Sequence, residues 1–359
     1  MGWSLKLGKW FGIEVNLHLT FLLLIGFLTL TGLATTRNVG VVVGDIGFLL
    51  ALFLCVVLHE FGHALAARRY GIPTKDITLL PIGGVARLER MPTDPKQELV
   101  VALAGPAVNV VIALALLPIV AVSNVGFFER LFSMNLLLVA FNLIPAFPMD
   151  GGRVLRAGLA LKMDYAKATR TAAAIGQGFA VLFGLIGLFT NPFLVLIAVF
   201  VWIGAAAESQ MTQTQARLAG VPVERAMLTQ FETLSPINSL EYVTQLMLTG
   251  SQQEFPVAEG GRPIGWVTRA ELFDALARHG SLGLVSQAMR RDFATIDAGD
   301  PLAAAAEKLQ TGQARSMMVL RDGQLAGLLT LENVREFALL QAALEKNMSE
   351  DKTGMIRTT

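Results

Sequence analysis

Only one cysteine, Cys55, occurs in 359 residues, so no disulfide can form within the chain. Its position inside a long apolar run marks it as a small packing residue. Charge is also scarce, at 16% of residues, and the formal net charge of +1 gives no argument for nucleic acid or for an acidic substrate. The N-terminus lacks the short apolar core and small-residue cleavage site of a signal peptide, and its first apolar run is therefore read as a retained span. What the chain has in excess is apolar sequence, 53% of the total, crowded before about position 207 and followed by ordinary soluble composition. A membrane protein with a soluble tail is expected.

Six apolar segments are read as spans, at Val15–Leu33, Ile46–Ala66, Leu99–Val122, Leu131–Pro148, Ala172–Thr190 and Phe193–Ala207. The last is short for a full crossing, and Asn191-Pro192 before it signals a tight turn between two helices. With the N-terminus inside, Lys and Arg gather on the inner loops, at Lys6 and Lys9, from Arg68 to Lys96 and from Arg153 to Arg170, against Arg37 and Arg130 outside. This bias places both termini in the cytoplasm.

The second segment carries His59-Glu60-Phe61-Gly62-His63 near its end, and two of the chain's four histidines fall in this pentad. A charge at the centre of a membrane helix costs about 2.5–3.5 kcal/mol, so ionisable groups there mark function. On a helix His59 and His63 lie one turn apart on one face. In the H-E-x-x-H pattern two imidazoles bind Zn²⁺ and the glutamate is the general base. A third protein ligand is needed, and the charge topology brings Asp150 to the same membrane face as the pentad. Its bland alternative is a helix-capping or turn aspartate, since Asp150-Gly151 is a common turn pair.

Around Asp150 the sequence reads Asn142-Leu143-Ile144-Pro145-Ala146-Phe147-Pro148-Met149-Asp150-Gly151-Gly152. Two prolines end the helix, and the glycine pair allows an unusual turn that carries Asp150 back toward the bundle. Within the connection from Gly71 to Lys96, two β-prone runs flank Gly83-Gly84 and predict a hairpin over residues 76–88. Two readings of it stay open: a sheet dipping toward the membrane, whose edge pairs with an extended peptide, or a brace for the helices. In the third span the small residues of Gly105-Pro106-Ala107-Val108-Asn109 allow close helix approach, and Asn109 is read as hydrogen-bonding across the bundle, in a packing role.

The pentad together with Asn142-x-x-Pro145-x-x-Pro148-x-Asp150-Gly151 resembles the site-2 protease family of intramembrane metalloproteases, over about the first 210 residues. The resemblance implies one Zn²⁺ held by His59, His63 and Asp150, with Glu60 as catalytic base. It also implies that Asn142, Pro145 and Pro148 lie by the substrate path and that Gly83 and Gly84 belong to the membrane-associated strand region.

After position 220 the chain repeats itself at a constant offset of 62 residues. Ala226-Met227 returns as Ala288-Met289, Thr249-Gly250 as Thr311-Gly312, Gly265 as Gly327 and Thr268 as Thr330. Each copy reads as a strand, a helix, two strands and a helix, which resembles a CBS module. The resemblance implies an adenine nucleotide bound by the pair, with Thr268 and Thr330 as its site residues, and the alternative is a dimerisation or docking domain, giving a homodimer, without a small ligand. The aspartate that usually follows the threonine by three residues is Glu271 in the first copy and Asn333 in the second.

The expected architecture is therefore a polytopic α-helical membrane protein of six transmembrane helices with a small membrane-associated β hairpin, followed by a soluble α/β tandem CBS module. The expected boundaries are residues 1–210 for the protease, 211–221 for a linker, 222–280 and 281–342 for the CBS copies, and 343–359 for a disordered tail. The function expected is a zinc-dependent endopeptidase of the cell membrane, cutting a transmembrane protein substrate within the lipid bilayer. Two rivals belong to other classes: a CBS-regulated transporter or channel, and a non-proteolytic scaffold. The spans show no charged pathway apart from the pentad and no internal repeat, which counts against transport. The intact His59, Glu60, His63 and Asp150 count against a scaffold.

Overall fold

The computed structural model describes residues 4–356 except 82, 90, 93, 124 and 313, with the backbone alone at 342 and 345–356. The chain divides into two compact units, Met1–Thr212 and Gln213–Thr359.

The first unit opens with a hairpin, β1 (Ser4–Trp10) and β2 (Ile13–His18), where the sequence reading had already begun a span at Val15. Helix α1 (Leu19–Thr36) starts only after His18, whose ring nitrogen accepts the Thr20 N–H and caps the first turn. Helix α2 (Val39–Arg69) is capped by Asn38 and ends four residues before β3 (Thr74–Leu80) and β4 (Gly83–Leu88). These four strands form one sheet in the order β1-β2-β3-β4, with β2 and β3 parallel and the hairpins antiparallel. The hairpin expected at 76–88 is present, but it is half of a larger sheet. Alternation in β2 buries Ile13 and Val15 beside Ile77, and these pack on Phe61 and Ala64 of α2. The sheet is thus seated on the turn of α2 that carries the pentad.

Helix α3 (Pro95–Val122) begins at an Asp94 cap with proline in its first turn. Helix α4 (Gly126–Asn142) is followed by a turn over residues 143–149 and then by the short helix α5 (Asp150–Ala160). Helices α6 (Tyr165–Phe189) and α7 (Pro192–Ala219) form the expected hairpin at Asn191-Pro192. Among the described residues five helices are long and apolar enough to cross a membrane, namely α1, α2, α3, α6 and α7. The fourth expected span is α4, which at 17 residues is shorter than these five because the chain breaks at Asn142 rather than continuing to Pro148. The last span, expected to be short, is the 28-residue α7, because its polar continuation to Ala219 stays helical. Most of the stretch expected as a linker, 211–221, is therefore the end of that helix.

In the second unit, the first repeat comprises α8 (Leu240–Thr249), β5 (Glu254–Glu259), β6 (Arg262–Thr268) and α9 (Arg269–His279). After the short α10 (Val285–Ala288), the second repeat comprises β7 (Thr295–Asp297), α11 (Leu302–Gln310), β8 (Ser316–Arg321), β9 (Gln324–Thr330) and α12 (Leu331–Ile356). The leading strand of the first repeat is reduced to a bridge between Leu234 and Val257. The segments before each repeat cross over. Leu228 pairs with Leu328 and Arg290 with Trp266, while Met227 packs on Gly327 and Met289 on Gly265. Each glycine leaves the space that the other copy's methionine fills. Helix α12 continues to Ile356, so the expected disordered tail is helical as far as it is described, consistent with the helix-forming Ala342-Ala343-Leu344-Glu345-Lys346 run.

Candidate metal centre

His59 and His63 stand on α2 with Nε2 atoms 3.1 Å apart, and the Asp150 Oδ2 lies 3.2 and 3.1 Å from them. All three are buried, and one ligand atom from each falls within 4.8 Å of the others. Among the described residues this is the one such cluster. Two imidazoles and a carboxylate are the donor set of a catalytic zinc site with an open position, and the three donors converge on one point, so the residues fit the ion.

Neighbouring elements hold this geometry by close approach. A Cβ at Gly62 would lie 2.6 Å from the Ala104 carbonyl oxygen, so α2 and α3 touch backbone to backbone there. A Cβ at Gly105 would lie 2.6 Å from the His59 Nε2 and still closer to His63. Gly105 is thus the floor of the imidazole pair. A Gly105→Ala variant is expected to fold and to lose zinc, read by metal analysis beside circular dichroism; full zinc retention would show that the imidazoles tolerate the methyl.

Asp150 is the first residue of α5. Gly151 and Gly152 follow it in ordinary helical backbone, and neither has a positive φ. The expected unusual turn is absent, and the glycines are needed for space instead. A Cβ on Gly151 would meet the Ile144 carbonyl oxygen, and one on Gly152 would lie 2.6 Å from the Phe147 nitrogen. Packing of α5 on the 143–149 turn therefore aims Asp150 at α2. The acidic side chain also suits a helix N-terminus. Arg153, one turn on, approaches its Oδ1 at 4.0 Å.

Glu60 accepts the Ala86 N–H of β4 at 3.1 Å, and Gly84 leaves room for its side chain, since a Cβ there would lie 2.7 Å from the Glu60 Cγ. Asp76 binds Arg87 across the β3–β4 hairpin, and this bond raises the Arg87 pKa above its ordinary value. Of the other expected residues, Pro148 packs against Gly204 of α7, Asn142 donates to the Leu138 carbonyl of its own helix at 3.0 Å, and Pro145 lies in the turn. Gly83, at φ 138°, starts β4 with open space around it. In the second unit the Thr268 and Thr330 hydroxyls are engaged with Glu271 and Asn333 as helix caps. A cavity of about 390 Å³ beside Thr268 is lined by Glu254, Arg269, Phe273 and Arg315 among others.

Sequence reading missed a buried ionic cluster. Arg156 of α5, 1% exposed, donates from Nε to Glu98 of α3 at 2.8 Å and from Nη1 to Glu208 of α7 at 2.5 Å. Its guanidinium lies 5.0 Å from the ring centres of both Phe147 and Tyr165. In the sequence Arg156 is one of many inner-loop cations, and nothing local distinguishes it.

Three side chains that could hold a metal, near the end of a helix long and apolar enough to cross a membrane and with a carboxylate beside them, suit a metal-dependent hydrolase. The profile of peptidase family M50 matches residues 47–133 and 122–185, and the CBS domain profile matches 223–278 and 285–340. A zinc metalloprotease of Methanocaldococcus jannaschii is 37% identical over 273 residues, which cover 74% of this chain and 78% of that protein. A protein of Mycobacterium tuberculosis called Rip3 is 30% identical over 368 residues, covering 92% of each. The solved structure of the site-2 protease from Methanocaldococcus jannaschii is 40% identical, covers 58% of this chain and 95% of that one, and gives a TM-score of 0.45. The chain belongs to peptidase family M50 and carries tandem CBS domains.

Proposed function

We propose that the chain is a zinc-dependent intramembrane endopeptidase of the site-2 type, cutting a transmembrane segment of another membrane protein near the cytoplasmic face. The observation that carries this reading is the buried convergence of His59, His63 and Asp150, with Glu60 next to the first ligand. These three side chains would hold the ion. Zinc bound there would supply a Lewis acid for the scissile carbonyl and make the attacking water more acidic. Glu60 takes the water's proton and passes it to the leaving amine.

A helical substrate must unwind before attack, because its carbonyls are bonded within the helix. β4 is the edge of the sheet, and its Ala86 N–H points to Glu60 rather than to a neighbouring strand. A substrate segment extended along this edge lies beside the base. Gly83 and Gly84 keep that edge uncluttered, and Asn142, Pro145 and Pro148 border the path. In this reading α4 is the sixth crossing, the sheet rests at the cytoplasmic membrane surface, and both termini are cytoplasmic. The CBS pair regulates the protease through an adenine nucleotide near Thr268 and Thr330, and it pairs two chains in a homodimer.

An Asp150→Ala variant tests the ligand set. It is expected to lose zinc and all cleavage of a substrate that the unaltered enzyme cuts in reconstituted membranes. Full zinc content in this variant, by metal analysis, would remove Asp150 from the site.

A further inference from the structure

We propose that Asn109 and Asn135 are positioning residues that set the tautomer of His59, through a relay whose polarity is imposed by the main-chain carbonyl of Leu131. The inference rests on the zinc reading of the site. Asn109 of α3 and Asn135 of α4 are both fully buried. The Asn109 Oδ1 lies 2.5 Å from the His59 Nδ1, the Asn109 Nδ2 donates to the Asn135 Oδ1 at 2.8 Å, and the Asn135 Nδ2 donates to the Leu131 carbonyl at 2.9 Å.

A carbonyl oxygen only accepts, so Asn135 must turn its NH₂ toward Leu131 and its Oδ1 toward Asn109. Asn109 must then turn its NH₂ toward Asn135 and its Oδ1 toward His59. His59 is left to donate from Nδ1, and its Nε2 carries the lone pair on the side where His63 and Asp150 converge. Reversing either amide sets two acceptors against each other in a buried site, which costs roughly 1–3 kcal/mol per unsatisfied group. His63 reaches the same state in one step, with its Nδ1 at 2.7 Å from the Val101 carbonyl. Both imidazoles are thereby aimed by helix carbonyls, one directly and one through two amides. Packing alone does not account for the asparagines, since two buried amides are costly where apolar residues would fill the space between the helices. Groups that hold a ligating histidine by its second nitrogen typically alter metal affinity 10–100-fold when removed.

The full chain in detergent micelles is titrated with zinc against a chelator of known affinity. Asn109→Leu and Asn135→Leu are each expected to weaken zinc about 10- to 100-fold. Leu variants that bind zinc as tightly as the unaltered chain would overturn the relay. A second measurement needs no variant at the asparagines: ¹⁵N-histidine spectra of the zinc-free chain, with His59 assigned by its loss in His59→Gln. A His59 that carries a proton at Nδ1, with or without a second one at Nε2 toward Asp150, supports the proposal, and a His59 whose Nδ1 is unprotonated refutes it. An unaltered chain that binds no zinc yet shows His59 protonated at Nδ1 would instead bring down the zinc reading and leave the relay standing.

Discussion

A Glu60→Gln variant keeps its zinc and loses about 10²–10⁴-fold in cleavage rate. Glutamine matches the carboxylate in shape, and its Oε1 can still accept the Ala86 N–H that Glu60 accepts at 3.1 Å, so the β4 contact survives. What disappears is a group able to take a proton from water at neutral pH. His59 and His63 are untouched, and metal analysis should match the unaltered chain. The measurement is single-turnover cleavage of a membrane-protein substrate beside zinc content. Cleavage by Glu60→Gln at the ordinary rate would end the assignment of Glu60 as base.

Replacing Arg156 with methionine is expected to destabilise the membrane unit by about 3–5 kcal/mol, because it strips the buried Glu98 carboxylate of the guanidinium hydrogen-bonded to it. Glu98 is 1% exposed, as is Arg156, and the guanidinium joins α5 to α3 and α7. Methionine fills similar volume, so lost packing is a minor part of the cost. The double variant Arg156→Met/Glu98→Leu removes both buried charges and is expected to recover most of the loss, since replacing a whole buried pair by apolar groups is often close to neutral. Thermal unfolding midpoints of the purified proteins distinguish these outcomes. A single variant as stable as the unaltered chain would mean that water reaches Glu98. Since α5 begins at Asp150, the single variant should also lower zinc content as the helix loosens.

The two metal-site predictions differ in how far the sequence reaches. His59, Glu60 and His63 are legible because helical periodicity alone puts residues four apart on one face. Asp150, far along the chain, became legible only through loop charges, which assign a membrane side but no distance. The role of Gly151 and Gly152 was misread, because a glycine pair looks the same in sequence whether it serves an unusual torsion or a close contact. The N-terminal strands escaped for a related reason. Val15 and Leu17 are as apolar as the span that follows, and only pairing of Val15 with Ile77 shows where strand ends and helix begins. Asn109 was legible as a hydrogen bond across the bundle, but its partners were not, because Asn135 sits inside another apolar run with no local mark.

By itself the sequence determined the zinc pentad, the membrane character of the first half and the doubled CBS module, since each is written in a local period or a constant offset that needs no knowledge of neighbours. Tertiary structure decided how closely Asp150 approaches the two imidazoles, that a four-stranded sheet meets Glu60 at Ala86, that Arg156 bonds α5 to α3 and α7, and that Asn109 and Asn135 line up behind His59. Those features depend on atoms brought within about 3 Å across separate helices, where burial makes each unpaired polar group costly and so selects one arrangement.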